Sequence, residues 1–201
     1  MEDKKLNEKE SLELITQMIQ NTRRNLDAGS GNMFLVWGYA SVLITLVVWA
    51  GLQLTKNPVW MWGFWGIPVV GYMLTFLLMR KRQKPIISYV DAVLKRIWWI
   101  LGWSCMVFIV YATGDGRYEV ILPLCAIVMS LGSIITGCVI RYTSFFLFPI
   151  LGLLWGTRFL FEALSQGTTL FSLIEFAAVI IFSMIIPGHI LNYKARKDKM
   201  R

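Results

Sequence analysis

Six runs of about twenty apolar residues follow one another along this chain, at 33–54, 58–79, 97–113, 118–140, 143–164 and 168–191, with short polar breaks between them. About twenty residues at about 1.5 Å each cross the roughly 30 Å hydrocarbon core of a bilayer, so each run predicts a transmembrane helix. Only the break after the second run is long, so neighbouring spans should form antiparallel hairpins packed side by side. The expected fold is all-α, a polytopic bundle of about six spans over residues 33–192.

Two flanking segments carry a different pattern. Within residues 1–32, Leu12, Ile15, Met18, Ile19 and Leu26 recur near helical spacing from Glu8 to Asp27, with Asn7 and Glu10 placed as a capping box. Gly29, Ser30 and Gly31 should then break this amphipathic leader helix from the first span. Such a helix either lies on the inner leaflet or docks a cytoplasmic partner, and its pattern is the same in both cases. After the second span, Ile86, Ile87, Val90, Val93 and Leu94 keep helical period up to Ile97, predicting an interfacial helix that leads into the third span.

Composition agrees with a membrane domain, since 56% of residues are hydrophobic and only 16% charged, against about a quarter charged in soluble domains. The net charge of +8 raises nucleic acid as a partner, but the basic residues fall between apolar runs, alternately along the chain, and so report topology instead. One side of the bundle collects seventeen Lys and Arg, from the leader, the 80–96 segment, Arg141 and the tail at 193–201, against Lys56 and Arg117 on the other. By the positive-inside rule both termini lie in the cytoplasm. Arg80, Lys81, Arg82 and Lys84 form the densest basic group and are candidates for anionic-lipid contact. Cys105, Cys125 and Cys138 lie in apolar runs without C-x-x-C spacing, which suits small buried residues rather than a disulfide framework or a zinc site.

Inside the membrane, Pro68, Pro123, Pro149 and Pro187 each remove a backbone donor and are expected helix kinks. Ile67 to Gly71 in the second run and Phe148 to Gly152 in the fifth share a proline–glycine pattern at matching places of two three-span halves, as an inverted repeat would. Ala126, Ser130, Ser133 and Gly137, and Gly152 with Gly156, line ridges that let backbones approach, within one molecule or across a homodimer.

Arg158 and Glu175 are the costly residues, since a charge at mid-membrane costs about 2.5 to 3.5 kcal/mol. At about 1.5 Å per residue both sit roughly 10 Å below the outer boundary, on helices joined by a short loop. They should therefore form an ion pair, with Glu162 one turn from Arg158 as a second partner. Asp115, Arg117 and Glu119 belong to the same outer face and, with that pair, would line a polar vestibule of spans four to six. The sole histidine, His189, gives no raw material for a multi-histidine metal site, and no phosphate loop, nucleophile elbow or H-E-x-x-H motif occurs, so neither an enzyme nor a bound cofactor is expected.

The leader from Ser11-Leu12-Glu13-Leu14-Ile15-Thr16 through Asn21-Thr22-Arg23-Arg24-Asn25-Leu26 into Phe34-Leu35-Val36-Trp37-Gly38-Tyr39 resembles that of uncharacterised bacterial multi-pass inner-membrane proteins. The resemblance implies a bacterial inner membrane and no particular activity. Two functions stay open. One is a noncatalytic membrane subunit or regulatory module that docks a cytoplasmic or membrane protein at the inner face; the other is a small transporter or channel using the outer polar cluster. The expected surroundings are the lipid bilayer, anionic lipids included, with a protein partner or a second copy of the chain and no nucleic acid.

Overall fold

The computed structural model describes residues 8–80 and 89–199, the stretch 8–30 by its backbone alone, and every regular element among them is helical. Helix α1 is Glu8–Thr55; a 3-10 segment, Pro58–Trp65, leads into α2, Gly66–Arg80; α3 is Tyr89–Gly114. Helix α4 is Ile121–Ile140 and α5 is Ser144–Gln166, while α6, Leu170–Ile180, passes through a π turn, Ile181–Ile185, into α7, Ile186–Lys199. Six stretches are long and apolar enough to cross a membrane: Gly31–Thr55, Pro58–Leu78, Val90–Gly114, Tyr118–Ile140, Ser144–Gln166 and Leu170–Lys194. The chain is a helical membrane bundle in which the start of the first span, at Gly31, lies beside Asn192 near the end of the sixth; this is called the basic end and the opposite one the far end.

Two boundaries differ from expectation. Helix α1 does not break at Gly29, Ser30 and Gly31 but runs through them. Packing explains Gly31, where a Cβ would come within 3.1 Å of Asn192 Cγ and 3.2 Å of the Gly188 carbonyl. The neighbouring Asn32 accepts a hydrogen bond from Asn192 Nδ2 at 2.7 Å. The glycine thus serves close helix approach rather than a turn. The third span begins at Val90 and not at 97, because the amphipathic turns before Ile97 belong to the same helix, with Asp91 in its first turn. Asn7, Lys81, Arg82 and Lys84 lie outside the described residues.

The four intramembrane prolines occupy different places. Pro149 is inside α5, whereas Pro123 is the third residue of α4, where a missing N–H removes no intrahelical bond. Pro68 stands near the start of α2, just after the 3-10 segment. Pro187 is the second residue of α7, one residue beyond the π turn, whose closing bond runs from the Ile186 N–H back to the Ile181 carbonyl. That wider turn is where the sixth span accommodates the lost donor.

Helices α4, α5 and the sixth span form a tight core around Ala126, Phe145, Phe159, Val179 and Ile180. Small residues make it possible. A Cβ on Gly137 would come within 2.5 Å of the Phe145 backbone, one on Gly152 would strike Ser183 Oγ, and one on Gly156 would touch Ile127 at 3.3 Å. The small-residue ridges are therefore occupied within one molecule. Helix α1 packs along the sixth span, α2 rests on α1, and α3 rests on α4, while α2 and α3 share no substantial interface. The first three spans are thus arranged unlike the last three, which all pack on one another.

Candidate functional site

Arg158 and Glu175 are brought together by the hairpin of α5 and α6. Gly167, with φ +76°, turns the chain after α5, and Thr169 starts α6 by donating its backbone N–H to Ser172 Oγ at 3.0 Å. This tight turn places Arg158, eight residues before the end of α5, beside Glu175, five residues into α6. The Arg158 guanidinium donates through Nη2 to Glu175 Oε1 and pairs through Nη1 with Glu162 Oε2 at 2.8 Å. Trp155, nearly one turn before Arg158, donates its indole N–H to the same Glu175 oxygen at 3.3 Å.

Burial divides the cluster. The Glu175 side chain is 2% exposed, while those of Arg158 and Glu162 are 58% and 38% exposed. One buried carboxylate is thus held by two donors from α5, and the guanidinium edge and Glu162 face outward. A single cation serves two carboxylates, so the cluster carries one formal negative charge if all three groups are ionised. Its evident mechanical effect is to pin α6 to α5, since removing the guanidinium would leave a buried carboxylate with one indole partner.

Asp115, Arg117 and Glu119 do not join this cluster. Asp115 and Arg117 are exposed on the turn after α3, Glu119 is half-buried in the short helix Tyr118–Val120, and no ion pair among the described residues links them to Arg158, Glu162 or Glu175. That short helix does pack beside α5. The two groups are neighbours at the far end rather than one ion-paired vestibule. Arg80 is exposed at the last residue of α2, so it ends that helix at the basic end.

Several polar contacts carry no sequence motif. Ser130 and Ser183, both wholly buried, hydrogen-bond through their hydroxyls at 2.8 Å, and Gly152 leaves the room for that bond. The bond joins α4 to the π turn of the sixth span. Tyr39 donates or accepts at His189 Nε2, 2.6 Å away, tying α1 to α7. Trp98 Nε1 donates to Thr136 Oγ1 at 3.2 Å and fastens α3 to α4, and the Cys105 and Cys125 thiols meet across the same seam. Helical phase could have suggested Trp155, three residues from Arg158, and it does place Ser130 with Ser133 on one ridge. Nothing in the sequence pairs Ser130 with Ser183, which are 53 residues apart.

Helix α3 shows the clearest division of faces. Leu94, Trp98, Leu101, Cys105 and Ala112, at near-heptad spacing, lie against α4 or are shielded beside it, and Gly132 admits Leu101 and Trp98. Trp99 and Trp103 turn away, 66% and 57% exposed, with rings packed edge to face at 5.7 Å. Trp103 stands at the middle of the Val90–Gly114 span. Compared with known proteins, the chain matches no family model, no curated protein and no solved structure.

Proposed function

We propose that this chain is a noncatalytic subunit or regulatory module of a bacterial inner membrane, with both termini in the cytoplasm, and that it docks a protein partner. The observation that carries the reading is Trp103. Tryptophan in membrane helices favours the water interface, where the indole N–H finds a partner. Trp103 instead sits at mid-span on the free face of α3, where hydrocarbon offers its N–H nothing. Trp99 and Met106 extend the same exposed face, in the aromatic and methionine composition of protein interfaces. Helix α1 supports a second contact at the inner face, because its 23 residues before Gly31 continue the span for about 35 Å.

The test is the mass of the full chain purified from its membrane in native lipid nanodiscs, as wild type and as Trp99→Leu with Trp103→Leu. The expected result is a stoichiometric assembly that the double variant loses while keeping its helical content and melting temperature. A wild-type chain recovered only as a monomer would sink the reading. It would shift weight to the second one, a small transporter or channel, which rests on the buried carboxylate of Glu175 inside a span and on the π turn beside Pro187.

A further inference from the structure

A cavity of about 270 Å³ lies between α1 and α2 and is open on one side. Tyr39, Leu43 and Ile44 of α1 and Val70 and Leu74 of α2 line it, and the surface it presents is apolar. Its lining on α1 runs from Leu35 to Ile44, a rise of about 13 Å. That is close to half of the roughly 30 Å hydrocarbon core, the depth of one leaflet. It begins four residues, about 6 Å, inside the basic end of the first span at Gly31.

We propose that this groove holds one acyl chain of an anionic diacyl phospholipid, with the phosphate received by Arg80. The position of the charge selects this occupant. Helix α2 leaves the groove at Leu74 and ends six residues later at the exposed Arg80, about 9 Å nearer the basic end. A lipid whose chain fills the groove has its glycerol and phosphate at that level, where a guanidinium fork can bind two phosphate oxygens. The Tyr39 hydroxyl is already bound to His189 Nε2, so the groove wall offers no polar group that would favour water over hydrocarbon. Among the described residues no further span closes the opening, since α2 packs mainly on α1 and shares no substantial interface with α3. The site is independent of the partner face on α3.

Native mass spectrometry of the full chain, released from micelles holding equal amounts of phosphatidylglycerol and phosphatidylcholine with identical chains, tests the assignment. Wild type should retain phosphatidylglycerol at least about fivefold over phosphatidylcholine, since each basic residue near the headgroup contributes about 1 kcal/mol. Arg80→Gln should lower that preference about fivefold, the share of one basic residue at about 1 kcal/mol. Val70→Phe, which fills the groove, should lose both lipids with Arg80 intact, and Leu43→Trp, from the exposed side of α1, does the same without touching α2. Melting curves establish that each variant is folded. Equal retention by wild type, a preference undiminished in Arg80→Gln, or undiminished lipid on the folded groove-filled variants would each overturn the proposal.

Discussion

The third and sixth spans are both apolar enough to cross a membrane, yet 61% of the sixth span's most apolar window is buried inside the bundle and 6% of the third's. Hydropathy alone does not explain such contrasts, because the fifth span has the same mean hydropathy as the third, 1.6, and 28% of its window is buried. Side-chain size does. The sixth span offers Ser172, Ala177, Ala178, Ser183 and Gly188 to its neighbours, whereas the third carries Trp99, Trp103, Met106, Phe108 and Tyr111 outward. Lipid tails are as apolar as leucine, so a membrane helix gains little by burying large apolar groups and much by close backbone approach and hydrogen bonds. Apolarity sends a helix into the bilayer, and small or hydroxylated residues decide how deeply it enters the bundle.

Two glycines turn that contrast into a measurement with the largest expected effect. A side chain on Gly152 would collide with Ser183 Oγ and lie 3.1 Å from Ser130 Oγ, whereas Gly102 on α3 has nothing within 4 Å. Gly152→Leu should break the Ser130–Ser183 bond and separate α5 from the π turn, a loss of more than about 3 kcal/mol that lowers the melting temperature sharply. Gly102→Leu should change stability by less than about 0.5 kcal/mol. Thermal melts of both variants in one detergent decide the matter, and equal effects would remove the distinction between core and peripheral spans.

The ion pair probes the same boundary with a smaller effect, because Glu175 is buried and Arg158 is not. Glu175→Ala leaves the guanidinium with Glu162 and a route outward, so a loss of about 1 to 2 kcal/mol is expected rather than the roughly 3 to 5 kcal/mol of a fully buried broken pair. Arg158→Ala strands the buried carboxylate and should cost more, about 3 kcal/mol. Removing both groups as Arg158→Leu with Glu175→Leu should recover most of that loss. If the double variant melts no higher than Arg158→Ala alone, the two groups do not act as a pair.

The six spans were legible in the sequence because bilayer thickness imposes a length that no other constraint imitates. The Arg158–Glu175 approach was legible too, since a short hairpin fixes the relative depth of two charges that lipid cannot accommodate. What escaped the pattern is the identity of helix neighbours. On α3 both faces are apolar, so Trp98 against α4 and Trp99 away from it differ only in phase, and the glycine that receives Trp98 lies on another helix. Gly31 misled for the related reason that glycine ends helices in water and brings them together in membranes. Its partner Asn192 is near the other end of the chain.

One effect should be blind to the comparison and so calibrates it. Arg141 closes α4 in the tightly packed part with φ 54°, and Lys56 closes α1 with φ 56° beside the loosely held second span. Both are left-handed positions that disfavour a residue with a Cβ by about 1 to 2 kcal/mol, a local strain that depends on the backbone and not on the neighbours. Glycine relieves that strain and forfeits about 0.5 to 1 kcal/mol of it to extra freedom in the unfolded chain. Arg141→Gly and Lys56→Gly should therefore each raise stability by about 0.5 kcal/mol, the same within error, when melted under identical conditions. A gain at Arg141 with none at Lys56 would mean that the connection before the second span relaxes out of the left-handed form on its own. The looseness of that span would then reach its backbone as well as its side chains.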